Sequence, residues 1–135
     1  MAFQQHATFE PVPRESVMTV MIPNVNLELD VEFIENIFEQ LRLGCVWKVD
    51  LVYHSGSPNG NPSLPHNIAY VHFSGWNATG SSSAARDALE KGLELRVNYN
   101  PHSFWKVWQA KFIYRPPTQE YKLWRPTWSI VTPQD

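Results

Sequence analysis

The chain has 135 residues, of which 43% are hydrophobic and 18% are charged, enough for one globular domain with tails. Its single cysteine, Cys45, excludes an internal disulfide and a zinc site built on paired cysteines. No apolar run approaches the roughly 20 residues of a membrane span, and the first residues lack the apolar core of a signal peptide, so we expect a soluble intracellular protein.

Charge is distributed unevenly along the chain. Residues 1–45 hold two basic and seven acidic side chains (−5), residues 46–90 two and three (−1), and residues 91–135 seven and three (+4). A generic nucleic-acid binder is basic throughout, whereas here only the C-terminal third is basic. Much of the acidic excess lies in one stripe, Glu28, Asp30, Glu32, Glu35 and Glu39. We predict that this stripe is the solvated face of a helix and repels nucleic acid.

The chain begins with a predicted arm and a predicted strand. Residues 1–15 are polar and show no periodicity, which is typical of an extended arm. Residues 16–25 alternate around β-branched side chains, and Pro23-Asn24 marks a turn at the end of this strand.

A helix and a second strand are predicted next. Apolar side chains at spacings of three and four indicate an amphipathic helix with Asp30 as its N-cap and Gly44 near its end. Residues 45–54 predict a strand, and residues 55–66 contain every turn-forming residue type, which indicates a long surface loop.

Residues 67–76 predict a third strand with clean alternation. Ala69, Val71 and Phe73 fall on one face of this strand, and Ile68, Tyr70 and His72 fall on the other. With two helices packed on one face of the sheet, the other face is left open.

The last third of the chain predicts a short helix and two strands. Serines at 81–83 are expected to cap the helix, and Gly92 is expected to end it. Residues 93–99 predict a short hairpin strand and residues 104–114 the last strand. Residues 115–135 are rich in Pro and Trp and predict a second arm.

These elements predict an α+β fold in the order βαββαβ, with an extra hairpin strand before the last one. Four strands in this order form a ferredoxin-like sandwich, an antiparallel sheet with two helices on one face. The predicted organisation is an N-terminal arm at 1–15, a domain at 16–114 and a C-terminal arm at 115–135.

Two segments resemble the signature sequences of the RNA recognition motif (RRM) family. The family's first-strand hexamer matches residues 20–25 at every informative position except Met21. Its third-strand octamer corresponds to residues 66–73. The octamer positions that agree are Ala69, Tyr70, Val71 and Phe73, and those that differ are His66, Asn67 and Ile68.

The resemblance covers roughly residues 16–114, and within the family it is closest to RRM-like proteins of large nucleocytoplasmic DNA viruses. The segments that carry the viral resemblance are 22–25, 44–50, 69–76 and 105–107. It implies an intracellular location, in the cytoplasm or nucleus of a host cell, or in a virion.

The resemblance also implies where RNA bases stack. The three stacking positions of the family correspond to Met21, Ile68 and Tyr70, of which only Tyr70 is aromatic. The family's phosphate-binding cation is replaced by His66, which is mostly neutral at pH 7. Base recognition by this face is therefore expected to be weak, and a second interpretation is that a tail or a partner protein covers an apolar patch here.

A basic and aromatic run over 104–128 provides the other candidate surface. Its cations can pair with phosphates, and its rings can stack on bases. This combination suits the binding of a single-stranded nucleic acid. Together with the sheet face, the predicted nucleic-acid site is Met21, Lys48, Ile68, Tyr70, His72, Arg96, Lys106 and Lys111. The alternative is that the rings are structural, with some of them in the core. Trp124 and Trp128 then fold back over the sheet, or the C-terminal arm inserts into a partner with Tyr121, Trp124 and Trp128.

The sequence gives little support for catalysis. The histidines are scattered, and the motifs of metal ligation, phosphate loops and nucleophile elbows are absent, so we predict no enzyme, metal or cofactor. Asp50 is expected to be an isolated carboxylate, Cys45 a core residue, and Trp47 and Trp76 packed side chains. Two functions stay open: a module that binds RNA or single-stranded nucleic acid, or an assembly protein, such as a virion component, that reuses the RRM fold and wraps its arms around a partner.

Overall fold

The computed structural model describes residues 7–55, 64–116 and 130 of the chain. The elements follow in the order β1 (Thr8–Pro11), β2 (Met18–Val25), α1 (Val31–Leu41), β3 (Gly44–His54), β4 (His66–Trp76), α2 (Gly80–Glu90), β5 (Leu95–Asn100), β6 (Ser103–Gln109) and β7 (Phe112–Arg115). This order confirms the predicted α+β class. Within the described ranges, neither helix is long and apolar enough to cross a membrane.

The main sheet has five strands in the order β3-β4-β2-β6-β5, and its neighbouring strands pair in antiparallel fashion. The predicted four-stranded sheet is therefore one strand too small. The short strand expected at 93–99 is β5, which pairs with β6 from Leu95–Val107 to Asn100–Ser103 and extends the sheet at its edge.

A second, two-stranded sheet joins the two ends of the described chain. Strand β1 pairs with β7 in antiparallel register, from Thr8–Arg115 to Pro11–Phe112. The single strand predicted over 104–114 is therefore wrong, because the chain leaves the main sheet after the Ala110 N–H donates to the Thr19 carbonyl at 2.8 Å. Part of the predicted N-terminal arm likewise forms a strand.

The helices pack on one face of the main sheet. Ile34 and Phe38 of α1 and Leu89 of α2 are fully buried there. The sheet residues in the same cluster include Val20, Ile22, Val71, Phe73, Trp105 and Val107. Each fully buried side chain of this size contributes about 1.5–3 kcal/mol to folding, so this face holds the main core.

The ends of α1 follow from local chemistry. The Asp30 carboxylate accepts a hydrogen bond from the Phe33 N–H at 2.8 Å, which confirms the predicted N-cap. The helix ends at Leu41, close to Gly44 as predicted, because Arg42 adopts a left-handed conformation with φ of 55°.

The start of α2 differs from the prediction, whereas its stop agrees. Thr79 is the N-cap, so serines 81–83 lie inside the first turn. Buried Ser82 instead donates from its hydroxyl to the Arg42 carbonyl at 3.2 Å, which ties α2 to the end of α1. Gly92 has a φ of 79°, which suits the predicted glycine stop.

Two side chains predicted to be buried at the start of β3 are exposed. Cys45 is exposed and Trp47 is 41% exposed, since the β3–β4 register shifts on both sides of Val46 and turns neighbouring side chains outward. Trp76 does pack as predicted, with its ring 5.0 Å from that of Phe73 and its indole N–H donating to the Ser82 carbonyl at 2.8 Å.

Gly44→Ala should destabilise the protein. A Cβ at this position would overlap the backbone of Gly75 and Trp76, which forces a strand shift that costs about 1–3 kcal/mol. Gly80→Ala is the matched control, because a Cβ there meets nothing within 4 Å. Urea denaturation followed by circular dichroism measures both, and equal midpoints for the two variants would contradict the close approach.

Candidate nucleic-acid interface

The sheet face opposite the helices, here called the second face, carries the side chains expected to bind nucleic acid. Alternation along β4 is as predicted, with Ala69, Val71 and Phe73 in the helix-side core. Ile68 and Tyr70 belong to a separate buried cluster on the second face, with Val52, Ala110 and Ile113. Strand β4 is therefore buried on both of its faces.

The two-stranded β1–β7 sheet covers part of the second face, and we call this sheet the clasp. Ile113 of the clasp is 3% exposed and packs in the cluster that contains Ile68 and Tyr70. Half-buried Met21 packs against the same cluster. The structure thus brings together Met21, Ile68 and Tyr70, which correspond to the base-stacking positions of the RRM family. The clasp covers this cluster.

The clasp buries the side chain of Tyr70 and hydrogen-bonds to it. Its side chain is 1% exposed, and its hydroxyl accepts a hydrogen bond from the Tyr114 N–H at 2.9 Å. Burial raises the pKa of the Tyr70 phenol above its usual value, and this effect exceeds the opposing effect of the hydrogen bond. A base cannot stack on this ring while the clasp is closed.

An ion pair joins the clasp strands at their outer end. Arg115 Nε lies 2.8 Å from a Glu10 carboxylate oxygen. This hydrogen bond raises the pKa of the Arg115 guanidinium. Both side chains are more than a third exposed, so the pair adds little to the stability of the clasp.

A polar chain crosses the second face beside the clasp. His72 is fully buried, with Nδ1 2.9 Å from the Thr19 hydroxyl and Nε2 2.8 Å from an Asp50 carboxylate oxygen. Lys48 Nζ lies 3.6 Å from the other Asp50 oxygen. The predicted isolation of Asp50 is therefore wrong, since sequence alone does not place neighbouring strands in register.

The hydrogen bonds from Thr19 through His72 to Asp50 link a hydroxyl, an imidazole and a carboxylate in the order that nucleophilic hydrolases use. Thr19 is 2% exposed and His72 is fully buried, so no substrate carbonyl reaches the hydroxyl in this arrangement. The hydrogen bonds instead satisfy buried polar groups and join β2, β3 and β4. The structure thus places His72, a predicted contact of nucleic acid, inside the sheet with both ring nitrogens hydrogen-bonded.

The β5–β6 hairpin presents the open part of the second face. Arg96 and Lys106 are directly opposite each other across the two strands. The Arg96 guanidinium carbon lies 4.1 Å from the centroid of the Phe104 ring, and Phe104 is 42% exposed. We call Arg96, Phe104 and Lys106 the hairpin surface. The sequence identified both cations but not their pairing.

Lys111, the remaining predicted cation, is exposed at the bend between β6 and β7. It lies at the opposite end of β6 from Phe104, so it is separate from the hairpin surface. Tyr121, Trp124 and Trp128, predicted to bind a partner, lie outside the described residues.

A cleft opens next to the hairpin surface, with a volume of about 1000 Å³. Its lining includes Asn24, Leu27, Glu28, Leu64, Phe104 and Lys106. Sequence analysis missed the cleft, and the one signal for it is Pro23, which has no N–H with which to continue strand pairing.

Comparisons with known proteins identify no relative. No protein-family model, no curated protein and no solved structure matches the chain. Over the described ranges, no group of three or more His, Cys, Asp or Glu side chains is placed to hold a metal ion.

Tyr70 should make stability depend on pH above pH 10. Because its folded pKa is raised, its stabilising contribution is complete below pH 10 and is lost as pH rises through the folded pKa. The free energy of unfolding should thus fall less steeply above pH 10 in Tyr70→Phe than in the unmodified protein. Tyr99→Phe, at a half-buried tyrosine outside the clasp, is the control. Urea titrations from pH 9 to 11 test this, and parallel slopes for all three proteins would refute it.

Proposed function

We propose that the chain is a non-catalytic RRM-like module of ferredoxin-like topology that binds RNA or another single-stranded nucleic acid through the hairpin surface. The order β3-β4-β2-β6 supports this topology, since the first and third strands of the βαββαβ series are central in it. Two helices on one face and the RRM-like hexamer and octamer support it further. The viral origin and the host-cell or virion location stay predictions from the resemblance.

The observation that carries the proposal is that Arg96 and Lys106 lie directly opposite each other across two strands, beside the exposed ring of Phe104. Over the described residues, neither cation has an ion-pair partner, whereas Lys48, Arg86, Lys91 and Arg115 are all paired with carboxylates. Unpaired cations are free to replace the counterions of a phosphate backbone. The Arg96 guanidinium on Phe104 adds a planar surface on which a base can stack.

The clasp covers the centre of the second face and leaves its edge open for nucleic acid. In RRM-like proteins bases stack on the central strands, but Tyr70 and Ile68 are buried here. Lys48 is partly neutralised by Asp50. The hairpin surface is the part of the second face that combines an exposed ring with unpaired cations.

Replacing both cations, Arg96→Ala with Lys106→Ala, should weaken RNA binding and its salt dependence. Loss of two phosphate contacts should reduce the slope of log Kd against log salt by about 1.4. The assay is fluorescence anisotropy of a labelled 12-nucleotide RNA of mixed sequence. The salt concentration is varied from about 50 to about 200 mM, a range over which binding to phosphates changes strongly.

The matched control replaces Arg86 and Lys91 of the α2 region with Ala, which removes the same charge on the helix side of the sheet, opposite the hairpin surface. This control should leave the salt slope unchanged. Equal slopes for the two double variants, or no RNA binding by the unmodified protein at the lower salt, would overturn the proposed site.

A second candidate function is protein assembly through the clasp. Phe9 is 67% exposed and Phe112 is 58% exposed on the outer side of the clasp, with the Phe9 ring 5.2 Å from that of Tyr114. Exposed aromatic side chains in one patch are typical of interaction surfaces. A second copy of the chain is the simplest partner, because the same patch can pair with itself about a two-fold axis.

If the clasp mediates self-association, Phe9→Ser with Phe112→Ser should convert a dimer to a monomer in sedimentation velocity. Both side chains are exposed, so the substitutions should preserve the fold. Leu93→Ser, at an exposed position after α2, is the control and should leave the dimer intact. A monomer in every case, including the unmodified chain at high concentration, would exclude self-association by this route.

A further inference from the structure

The cleft beside the hairpin surface results from the early end of one strand ladder. Strands β2 and β6 pair at Val20–Gln109 and Met21–Trp108. Beyond Met21, the described part of β6 has no partner in β2, and Pro23 lacks the N–H needed to continue the ladder. The two strands therefore separate, and the space of about 1000 Å³ opens between them.

The walls of the cleft are fixed by local contacts. On the β2 side, Asn26 Oδ1 accepts from the Glu28 N–H at 2.9 Å and holds the turn after the strand. On the β4 side, His66 Nδ1 lies 2.8 Å from the Leu64 carbonyl oxygen. On the hairpin side, Tyr99 stacks on Trp105 with their ring centroids 4.4 Å apart. These contacts shape three sides of the cleft.

The lining of the cleft includes polar groups of opposite character. Lys106, which belongs also to the hairpin surface, attracts phosphate. Glu28 repels phosphate but accepts hydrogen bonds from ring N–H or amino groups, and the exposed Asn24 amide can both donate and accept. Leu27, Leu64 and Phe104 in the same lining offer apolar contact to a planar ring.

We propose that this cleft holds one unstacked base of the bound single strand, with the neighbouring phosphate on Lys106 and the base edge toward Asn24 and Glu28. The inference rests on the proposed function, and it adds a base-binding position that the phosphate contacts of the hairpin surface do not supply. Since Phe104 and Lys106 belong to both the hairpin surface and the cleft, the strand has a continuous path from Arg96 to the cleft.

Nucleotide titrations followed by ¹⁵N–¹H NMR test the cleft directly. The probes are the four nucleoside 5′-monophosphates and, as the matched probe without a base, ribose 5-phosphate. We expect the nucleotides to shift the side-chain amide signals of Asn24 and Asn26 and the backbone signals near Leu64, and ribose 5-phosphate to leave them in place. Equal shifts with ribose 5-phosphate would mean a phosphate site only and would overturn the base position.

A variant that fills the cleft gives an independent test with the 12-nucleotide RNA. Leu27→Trp places a larger side chain at a position that is 47% exposed, so the fold should be preserved. We expect it to weaken RNA binding about tenfold, the order seen when one base loses its stacking contact. Leu93→Trp, at an exposed position outside the cleft, is the control and should bind as the unmodified protein does.

The outcomes separate the cleft from the proposed function. RNA binding that depends on Arg96 and Lys106 but is unchanged by Leu27→Trp would overturn the cleft and leave the hairpin surface intact. No RNA binding by the unmodified protein would overturn the proposed function. The nucleotide titration would then decide the cleft by itself.

Discussion

The packing of the clasp on the second face is the contact on which the remaining structure depends. A sheet with helices on one side must protect apolar side chains on its other side, and Ile68 and Tyr70 would otherwise be exposed. Ile113 and the Tyr114 N–H satisfy both the apolar and the polar requirement of this site. Because β1 and β7 come from opposite ends of the described chain, closing the sheet also brings those ends together. Any ligand of the second face must therefore open the clasp or bind beside it.

The second face is divided into three parts with different physical roles. The clasp covers an apolar centre, the Thr19–His72–Asp50 chain satisfies buried polar groups next to it, and the hairpin surface stays open at the edge. Lys48 and Arg115 are neutralised by carboxylates near the covered parts, whereas Arg96 and Lys106 have no such partner over the described ranges. The hairpin thus carries two cations without carboxylate partners, directly opposite each other on the sheet face away from the helices.

Local features of the fold were predictable from sequence, and features set by strand pairing were not. The Asp30 cap, the Gly92 stop and the alternation of β4 follow from neighbouring residues, so the pattern identifies them. The exposure of Trp47 follows from register shifts against β4, which leave no sequence signal on β3. For the candidate site, the sequence identified Arg96 and Lys106 as cations. Their position opposite each other depends on the register of the β5–β6 hairpin, and the burial of Tyr70 depends on the clasp. Neither can be derived from neighbouring residues in the sequence.

The clasp and the cleft have one common origin in the short pairing of β2 with β6. Two residue pairs, Val20–Gln109 and Met21–Trp108, join these strands, with the Ala110–Thr19 hydrogen bond as the last contact on one side. On that side the chain turns out of the sheet and becomes β7, which covers Tyr70. On the other side Pro23 prevents further pairing, and the strands separate around the cleft. A longer ladder would remove both features at once, because the chain would continue in the main sheet and β2 would occupy the edge of β6. The proposed shift of binding from the centre of the sheet to its hairpin edge is thus a consequence of where one ladder begins and ends.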